Sequence, residues 1–380
     1  MVDFAARLKR VQRAMIEHSI DLMFLPPSAN LHYVTGIVRE EQNYGNTMYP
    51  GDWMTGAWIT QGGAPVLTVP RMMADFHGSF TGFDLRVLPD TGDALGMVCD
   101  VLDGLNVAER AVVALEDRAR AETMMKLHSL RPKAQFASAS TLMVPLRMIK
   151  DASELEVLHQ AGSIVEAAYQ AALGKLRHGM TTLDLITELN HQLRLHGSLA
   201  PPFVTSFYNM GPKFPFNFHN HEEVLLIPLE PPVSVSFDFG AVLDGYCYDY
   251  GRSVFFGQPD AAYQRVYRLV MESQAAGTVA LKAGNTCAQA DHAARSLIEN
   301  AGHGAAFRHR LGHGIGMDVH EQPFLNANDK TVMQSGMCFT VEPSIFVPGQ
   351  FGARVEDIVV VGPDGGQPLT SGFQALHVVD

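Results

Sequence analysis

The sequence predicts an α+β protein, with a smaller α/β domain over residues 1–150 and a second domain over 151–380 built on an antiparallel sheet with separately grouped helices. Residues 233–256 hold two aromatic and β-branched stretches around Asp244-Gly245, a pair that favours a tight hairpin turn. Residues 338–347 and 353–361 form a second apolar pair joined by a loop containing Pro348 and two glycines. Ahead of residue 150, by contrast, short apolar runs alternate with helical periodicities.

Phe4, Leu8, Val11 and Met15 recur at helical spacing, and the apolar run 22–25 ends at Pro26-Pro27, so a helix should lead into a strand. Residues 60–69 read as a hairpin turning at Gly62-Gly63. Strands are expected at 111–115 and 134–137, with helices over 94–102 and 121–130. No phosphate loop or dinucleotide fingerprint occurs here, so this half is assigned no cofactor. Residues 38–53 form a long polar-aromatic loop with Arg39, Tyr44 and Trp53, and long loops in compact domains are often functional.

In the second half, Ser153 with Glu156 three residues on reads as the capped start of a helix running to Leu176. Helical patterns recur over 181–195, 261–281 and 286–298. Strands are expected at 224–227, 233–239, 246–256, 338–347 and 353–361.

Composition narrows the function. The 380 residues are comfortable for two domains, and 47% hydrophobic with 18% charged residues is ordinary for a globular enzyme. Lys and Arg number 28 against 40 Asp and Glu, a net charge of −12, and no basic cluster interrupts it, which argues against nucleic acid or an anionic membrane as partner. Cys99, Cys247, Cys287 and Cys338 follow no metal-knuckle or disulfide spacing, as expected of thiols in a reducing cytosol. The start lacks the apolar run of a signal peptide, and no stretch suits a membrane span, so a cytoplasmic location is expected.

The hairpins carry the chemistry. With its turn on Asp244-Gly245, the first places Asp238 opposite Gly251 and makes Asp249 its diagonal neighbour on the same face. Two carboxylates so close repel unless a proton or a cation lies between them. The plainer reading, one aspartate facing solvent and the other capping a turn, stays open on this hairpin alone. In the second hairpin, a five-residue loop over 348–352 sets Glu342 opposite Ile358, with Glu356 its same-face diagonal neighbour. Upstream lies His313, flanked by Gly312 and Gly314. Four carboxylates and a histidine are too many for a closed tetrahedral zinc site. They suit two divalent ions sharing bridging carboxylates, with manganese, cobalt, iron or zinc as candidates.

The segments FDFGAVLDGYCYDYGRS, GHGIGMDVHE, VEPSIFVPG and GARVED resemble the catalytic domain of the aminopeptidase P, prolidase and creatinase family, which has the pita-bread fold. RLKRVQRAMIEHSIDLMFL and NLHYVTGI are similar to the amino-terminal domain of its longer members, and LRMIKDASELEVL to their domain junction. The resemblance implies that Asp238, Asp249, His313, Glu342 and Glu356 hold a dinuclear metal centre, with manganese the foremost candidate. It implies a substrate-facing role for His320, seven residues after His313, and for a histidine ahead of Asp238. His221 fits that spacing better than His219. Arg354 matches an arginine that leans on the site's carboxylates. The tripeptide Asp238-Phe239-Gly240 also suits a kinase, but no HRD motif precedes it.

The expected activity is therefore metal-dependent hydrolysis of the amide ahead of proline in a short peptide, with Glu342 passing the proton and His320 and His221 steadying the oxyanion. Ser344 and Phe346 stand where relatives commonly carry glycine and tyrosine, and Tyr248, Tyr250 and Gly251 replace small polar residues. A small non-peptide substrate (an ectoine-type ring, a guanidino acid or a sulfonium compound) is the alternative, and a catalytically silent binding protein is another. The complete ligand set disfavours creatinase and a silent protein. A homodimer is expected, with the 38–53 loop and its Trp53 bordering the partner's active site.

Overall fold

The computed structural model describes residues 2–38, 51–76, 82–214, 221–371 and 375–380. The chain divides into two units, Met1–Arg147 and Met148–Asp380.

The first unit runs α1 (Phe4–Glu17), β1 (Leu22–Leu25), α2 (Ala29–Thr35), β2 (Gly56–Thr60), β3 (Val66–Pro70), α3 (Arg71–Phe76), β4 (Asp84–Leu88), α4 (Ala94–Gly104), β5 (Val112–Leu115), α5 (Ala121–Leu130), β6 (Gln135–Ser138) and α6 (Ser140–Met148). Its six-stranded sheet has the order β4-β3-β2-β1-β5-β6. Every residue of β1 is buried, as suits a central strand covered on both faces, and β1 pairs parallel with β5 and antiparallel with β2. Val11 and Met15, a helical turn apart, are the buried stripe of α1, and the Asp3 carboxylate caps that helix at Ala6 N–H.

Trp53 corrects an expectation. It is 5% exposed and packs into this unit's core with Phe24, Trp58 and Leu127, while its carbonyl accepts from Thr123 Oγ1 at 2.6 Å. An indole sealed in its own domain's core is not a substrate wall. Arg39 and Tyr44 of the same loop lie outside the described residues.

The second unit contains α7 (Ala152–Leu173), α8 (Thr182–Leu195), β7 (Ser206–Met210), α9 (His221–Leu225), β8 (Val233–Leu243), β9 (Tyr246–Phe256), α10 (Ala261–Ala280), α11 (Cys287–Asn300), β10 (Gly312–Gly314), β11 (Glu321–Leu325), β12 (Cys338–Val341), β13 (Ser344–Val347), β14 (Phe351–Val360), β15 (Gln367–Pro368) and β16 (His377–Val379). The cap of α7 is Asp151 with Glu154, not Ser153 with Glu156: the Asp151 carboxylate accepts from Glu154 N–H and Glu154 Oε2 from Asp151 N–H. Residues 221–225 are helical where part of a strand was expected, and Glu222 and Glu223 suit a helix's positive first turn.

The sheet runs β11-β10-β12-β14-β9-β8-β7, with β13 and β15 added on β14 and β16 on β9. Strands β8 and β9 pair from Val233↔Phe256 to Leu243↔Tyr246 around a two-residue turn, with φ of 47° at Asp244 and 81° at Gly245. The expected Asp238↔Gly251 pairing is present. On the opposite face, Phe237, Phe239 and Tyr250 pack on Tyr169 of α7, so β9 is buried along its whole length. Strand alternation sets Asp238 and Asp249 on one face and Phe237, Phe239, Tyr248 and Tyr250 on the other.

The second hairpin differs from expectation in register. Residues 338–347 are two strands broken at Glu342-Pro343, and Val347 pairs with Phe351, leaving a three-residue loop rather than five. With Val341↔Asp357 on one side of the break and Ser344↔Arg354 on the other, Glu342 comes opposite Glu356 instead of diagonal to it. A shift of two residues preserves the face. Among the described residues, no helix is long and apolar enough to cross a membrane.

Candidate metal centre

Strands β8, β9 and β14, with the break between β12 and β13, bring one row of residues to the same face. Asp238 pairs with Gly251, Gly251 with Glu356, and Glu356 stands across from Glu342. Asp249 enters beside the row, two residues from Gly251 on β9. His313 comes from β10, whose partner is β12. One ligand atom from each of Asp249, His313 and Glu356 lies within 4.8 Å of the others, and all three residues are buried. His313 Nε2 is 3.6 Å from Asp249 Oδ2 and 3.5 Å from Glu342 Oε1. Thr340 Oγ1 donates to Glu342 Oε1 at 3.2 Å and accepts from His313 N–H at 3.0 Å, tying those two residues together.

His313 Nδ1 lies 3.0 Å from the Gly314 carbonyl, a contact that puts the proton on Nδ1 and turns the Nε2 lone pair to the carboxylates. Asp249 Oδ1 and Glu356 Oε2 are buried without a hydrogen-bond partner among the described residues. Burial, then repulsion from Asp249, Glu342 and Asp238, raises the Glu356 pKa well above its ordinary value. Burial likewise raises Glu342 and Asp238, against the pull of His313 and Arg354 respectively. At His313 burial opposes the charged form, but Asp249 and Glu342 more than offset it and raise the pKa. Oxygen-rich donors, two orphaned carboxylate oxygens and a histidine lone pair in one buried cluster fit divalent cations.

Arg354 Nη1 meets Asp238 Oδ2 at 2.5 Å, and its guanidinium lies 5.0 Å from the Tyr208 ring and 5.5 Å from the Phe346 ring. Burial disfavours its charge, yet Asp238, Glu342 and Glu356 raise its pKa above the ordinary value. His320 is exposed, and its ring stands edge-on to His313, with centroids 4.3 Å apart. His221 opens α9, but its side chain, like the whole of His219, lies outside the described residues.

Comparison with known proteins decides what this cluster belongs to. Residues 156–363 match the family described as Metallopeptidase family M24, and residues 7–149 match the Creatinase/Prolidase N-terminal domain. The chain belongs to metallopeptidase family M24. As an M24 member it is a metal-dependent hydrolase whose family uses divalent ions. It is 27% identical over 375 residues to an Xaa-Pro dipeptidase of Lactobacillus delbrueckii subsp. lactis, covering 98% of each chain. An Xaa-Pro dipeptidase structure from Bacillus anthracis aligns at TM-score 0.84 and 25% identity, over 99% of this chain and 100% of that one. A prolidase from Thermococcus sibiricus aligns at TM-score 0.90 and 24% identity over 100% of both, a likeness of fold. The fold is the pita-bread fold.

Several residues around the M24 site gave no signal in the sequence. His309 Nδ1 lies 2.7 Å from the Arg310 carbonyl, its Nε2 accepts from Ser344 Oγ at 2.6 Å, and burial pushes its pKa down to about 3, so it is a neutral neighbour of Glu342. Asp291 and Arg295 of α11 clamp the approach to β10: Arg295 Nη2 donates to the His309 carbonyl at 2.7 Å and Asp291 Oδ1 accepts from Leu311 N–H at 3.1 Å. An aspartate inside an apolar strand is a readable cue. Asp357, directly after Glu356 in β14, carries that cue.

Proposed function

We propose that this M24 enzyme hydrolyses the amide ahead of proline in short peptides, Xaa-Pro dipeptides first, and that it works with two divalent ions, manganese foremost. The observation that carries the reading is the buried row of carboxylates beside His313, with two carboxylate oxygens that have no partner among the described residues. In this reading Asp238, Asp249, His313, Glu342 and Glu356 hold the ions. The bound ions supply Lewis acidity, polarising a carbonyl and bringing the pKa of water towards neutrality.

Glu342, oriented by the Thr340 hydroxyl, takes the proton of the attacking water and delivers it to the leaving proline nitrogen. His320 donates to the oxyanion that develops on the scissile carbonyl, with His221 as second donor or substrate anchor. Arg354 fixes the Asp238 carboxylate and, beside Tyr208 and Phe346, adds positive charge to the side of the site where the substrate would bind. Tyr208 and Phe346, ring centroids 5.2 Å apart, give an apolar flank suited to a pyrrolidine ring. The names of the Lactobacillus and Bacillus relatives support the peptide substrate.

The four cysteines are all free, which favours a cytoplasmic enzyme. A homodimer is the assembly that the likeness of residues 1–150 to the family's amino-terminal domain implies.

The test is a substrate panel. Metal-stripped protein reloaded separately with manganese, cobalt or zinc is given Xaa-Pro dipeptides, Xaa-Pro-Yaa tripeptides and dipeptides without proline. Ion-dependent turnover restricted to the proline peptides is expected; turnover of none of them with any ion overturns the reading. Light scattering gives the solution mass, and a monomer removes the dimer.

A further inference from the structure

The turn that ends at His320 is tied down by a buried ion pair from outside its own hairpin. Lys150, just ahead of α7, brings Nζ to 3.2 Å from Glu321 Oε2, and the two side chains are only 2% and 8% exposed. The other oxygen of that carboxylate accepts from Asp318 N–H at 3.1 Å. One carboxylate thus joins Lys150 to both ends of the segment 318–321 that holds His320. Gly316 makes room for it: a Cβ there would lie 2.8 Å from Glu321 Oε1 and 3.0 Å from Lys150 Cε. The Gly316 carbonyl accepts from Cys247 N–H at 2.7 Å, so the turn is also pinned to the start of β9.

Lys150 is itself held. Its N–H donates to the Gly336 carbonyl at 2.9 Å, and Ile149 bridges Met337 next to β12. The anchor therefore connects the strand that leads to Glu342 with the turn that presents His320. A buried ion pair contributes little stability over apolar side chains of similar volume, whereas its charge-assisted hydrogen bonds constrain direction. His320 is exposed and edge-on to His313, and its side chain departs from the short backbone segment that the Glu321 carboxylate ties to Asp318 and Lys150.

We propose that Lys150, acting through Glu321, is a positioning residue for His320: it sets where the imidazole N–H points and does not touch the substrate. The inference rests on the oxyanion role of His320 given above. A small displacement of such a donor lowers turnover without weakening ground-state binding.

The test replaces the pair as a unit, because Lys150→Met alone leaves Glu321 charged and buried. Lys150→Met with Glu321→Gln keeps an acceptor for Asp318 N–H. In the full-length, zinc-loaded protein this variant should hold its metal, lose about tenfold in kcat and keep KM within about twofold. Lys150→Arg, which retains the charge, should stay near the parent. Adding His320→Ala to the pair variant should lower kcat no further than His320→Ala alone; fully additive losses, or an unchanged kcat in the pair variant, overturn the proposal. A second readout does not need turnover. With 13C-labelled histidine, the His320 ring signal should move in the pair variant, and an unmoved signal overturns the positioning role. Should His320→Ala keep the parent kcat, the oxyanion reading falls by itself, and the ring signal decides the positioning.

Discussion

Glu356 lies against the bare backbone of Gly251, its partner across β14 and β9: a Cβ at 251 would sit 2.5 Å from Glu356 Oε2 and 3.1 Å from Glu356 Cβ. The glycine is the gap in the row between Asp238 and Glu356, and the carboxylate occupies it. Arg354 closes the same space, its Cδ 3.0 Å from that position.

Gly251→Ala should therefore push Glu356 out of register with Asp249 and Asp238. Overpacking a well-filled site costs about 1–3 kcal/mol. The expected result is a lower unfolding midpoint together with a loss of bound metal, measured by calorimetry and by metal analysis of the dialysed protein. An alanine variant with parental metal content would show that the carboxylate can yield without leaving the site.

Chelation should make stability depend on pH in a definite direction. Glu356, Glu342 and Asp238 have raised pKa values because they are buried, Glu356 the most. Above the ordinary glutamate value of 4.5 the unfolded chain has released these protons while the folded chain still holds them. The folded state then binds more protons, so stability falls as pH rises towards the raised values. Bound cations compete for the same oxygens and remove the repulsion. Thermal melts from about pH 5 to about pH 8 should show the chelated protein losing stability and its gap to the metal-loaded protein widening. Parallel curves would contradict it.

The first hairpin was legible because Asp244-Gly245 fixes both the turn and the pairing, so Asp238, Gly251 and Asp249 followed by counting. The second was read two residues out. Pro348 and two glycines look like a five-residue loop, while the chain turns within three, and only the even-numbered error kept Glu342 and Glu356 on the correct face. Residues 224–227 misled for another reason: a short apolar run carries no period that separates strand from helix. Trp53 was expected at the partner's active site, and its place in the core gives no local cue, because burial by distant residues leaves no local pattern. Lys150 with Glu321 and Arg252 with Asp357 are pairs separated by more than a hundred residues, and no spacing rule links them.

The two histidines near the centre should separate cleanly. His313→Ala removes a nitrogen donor from the buried cluster and should lower metal content. His320→Ala should keep its metal and lower kcat by about 10²-fold, the size of one oxyanion donor. Metal analysis beside steady-state kinetics distinguishes them, and equal metal loss in both variants would reassign His320 as a ligand.

Behind the site, Arg252 and Asp357 form an ion pair on the opposite face of β9 and β14, each side chain 1% exposed, with Nη2 to Oδ1 at 2.6 Å. Gln274 and Thr370 donate to the same carboxylate at 3.0 and 2.9 Å. Arg252 Nη1 also donates to the carbonyls of Gly251 and Glu356, so the guanidinium grips the backbone of both strands beneath the metal-facing row. Asp357→Ala leaves an uncompensated buried cation and should destabilise by about 3–5 kcal/mol. Replacing both, Arg252→Met with Asp357→Leu, removes both buried charges and should recover most of that loss. The fold would then return but the grip on Gly251 and Glu356 would not, so metal affinity should stay low in the double variant. Both tryptophans lie in the first unit, at 53 and 58, so the second unit's unfolding is better followed by calorimetry than by tryptophan fluorescence. A double variant that regains parental metal affinity would show that the pair supports the fold alone and leaves the positions of Glu356 and Asp249 to the strands themselves.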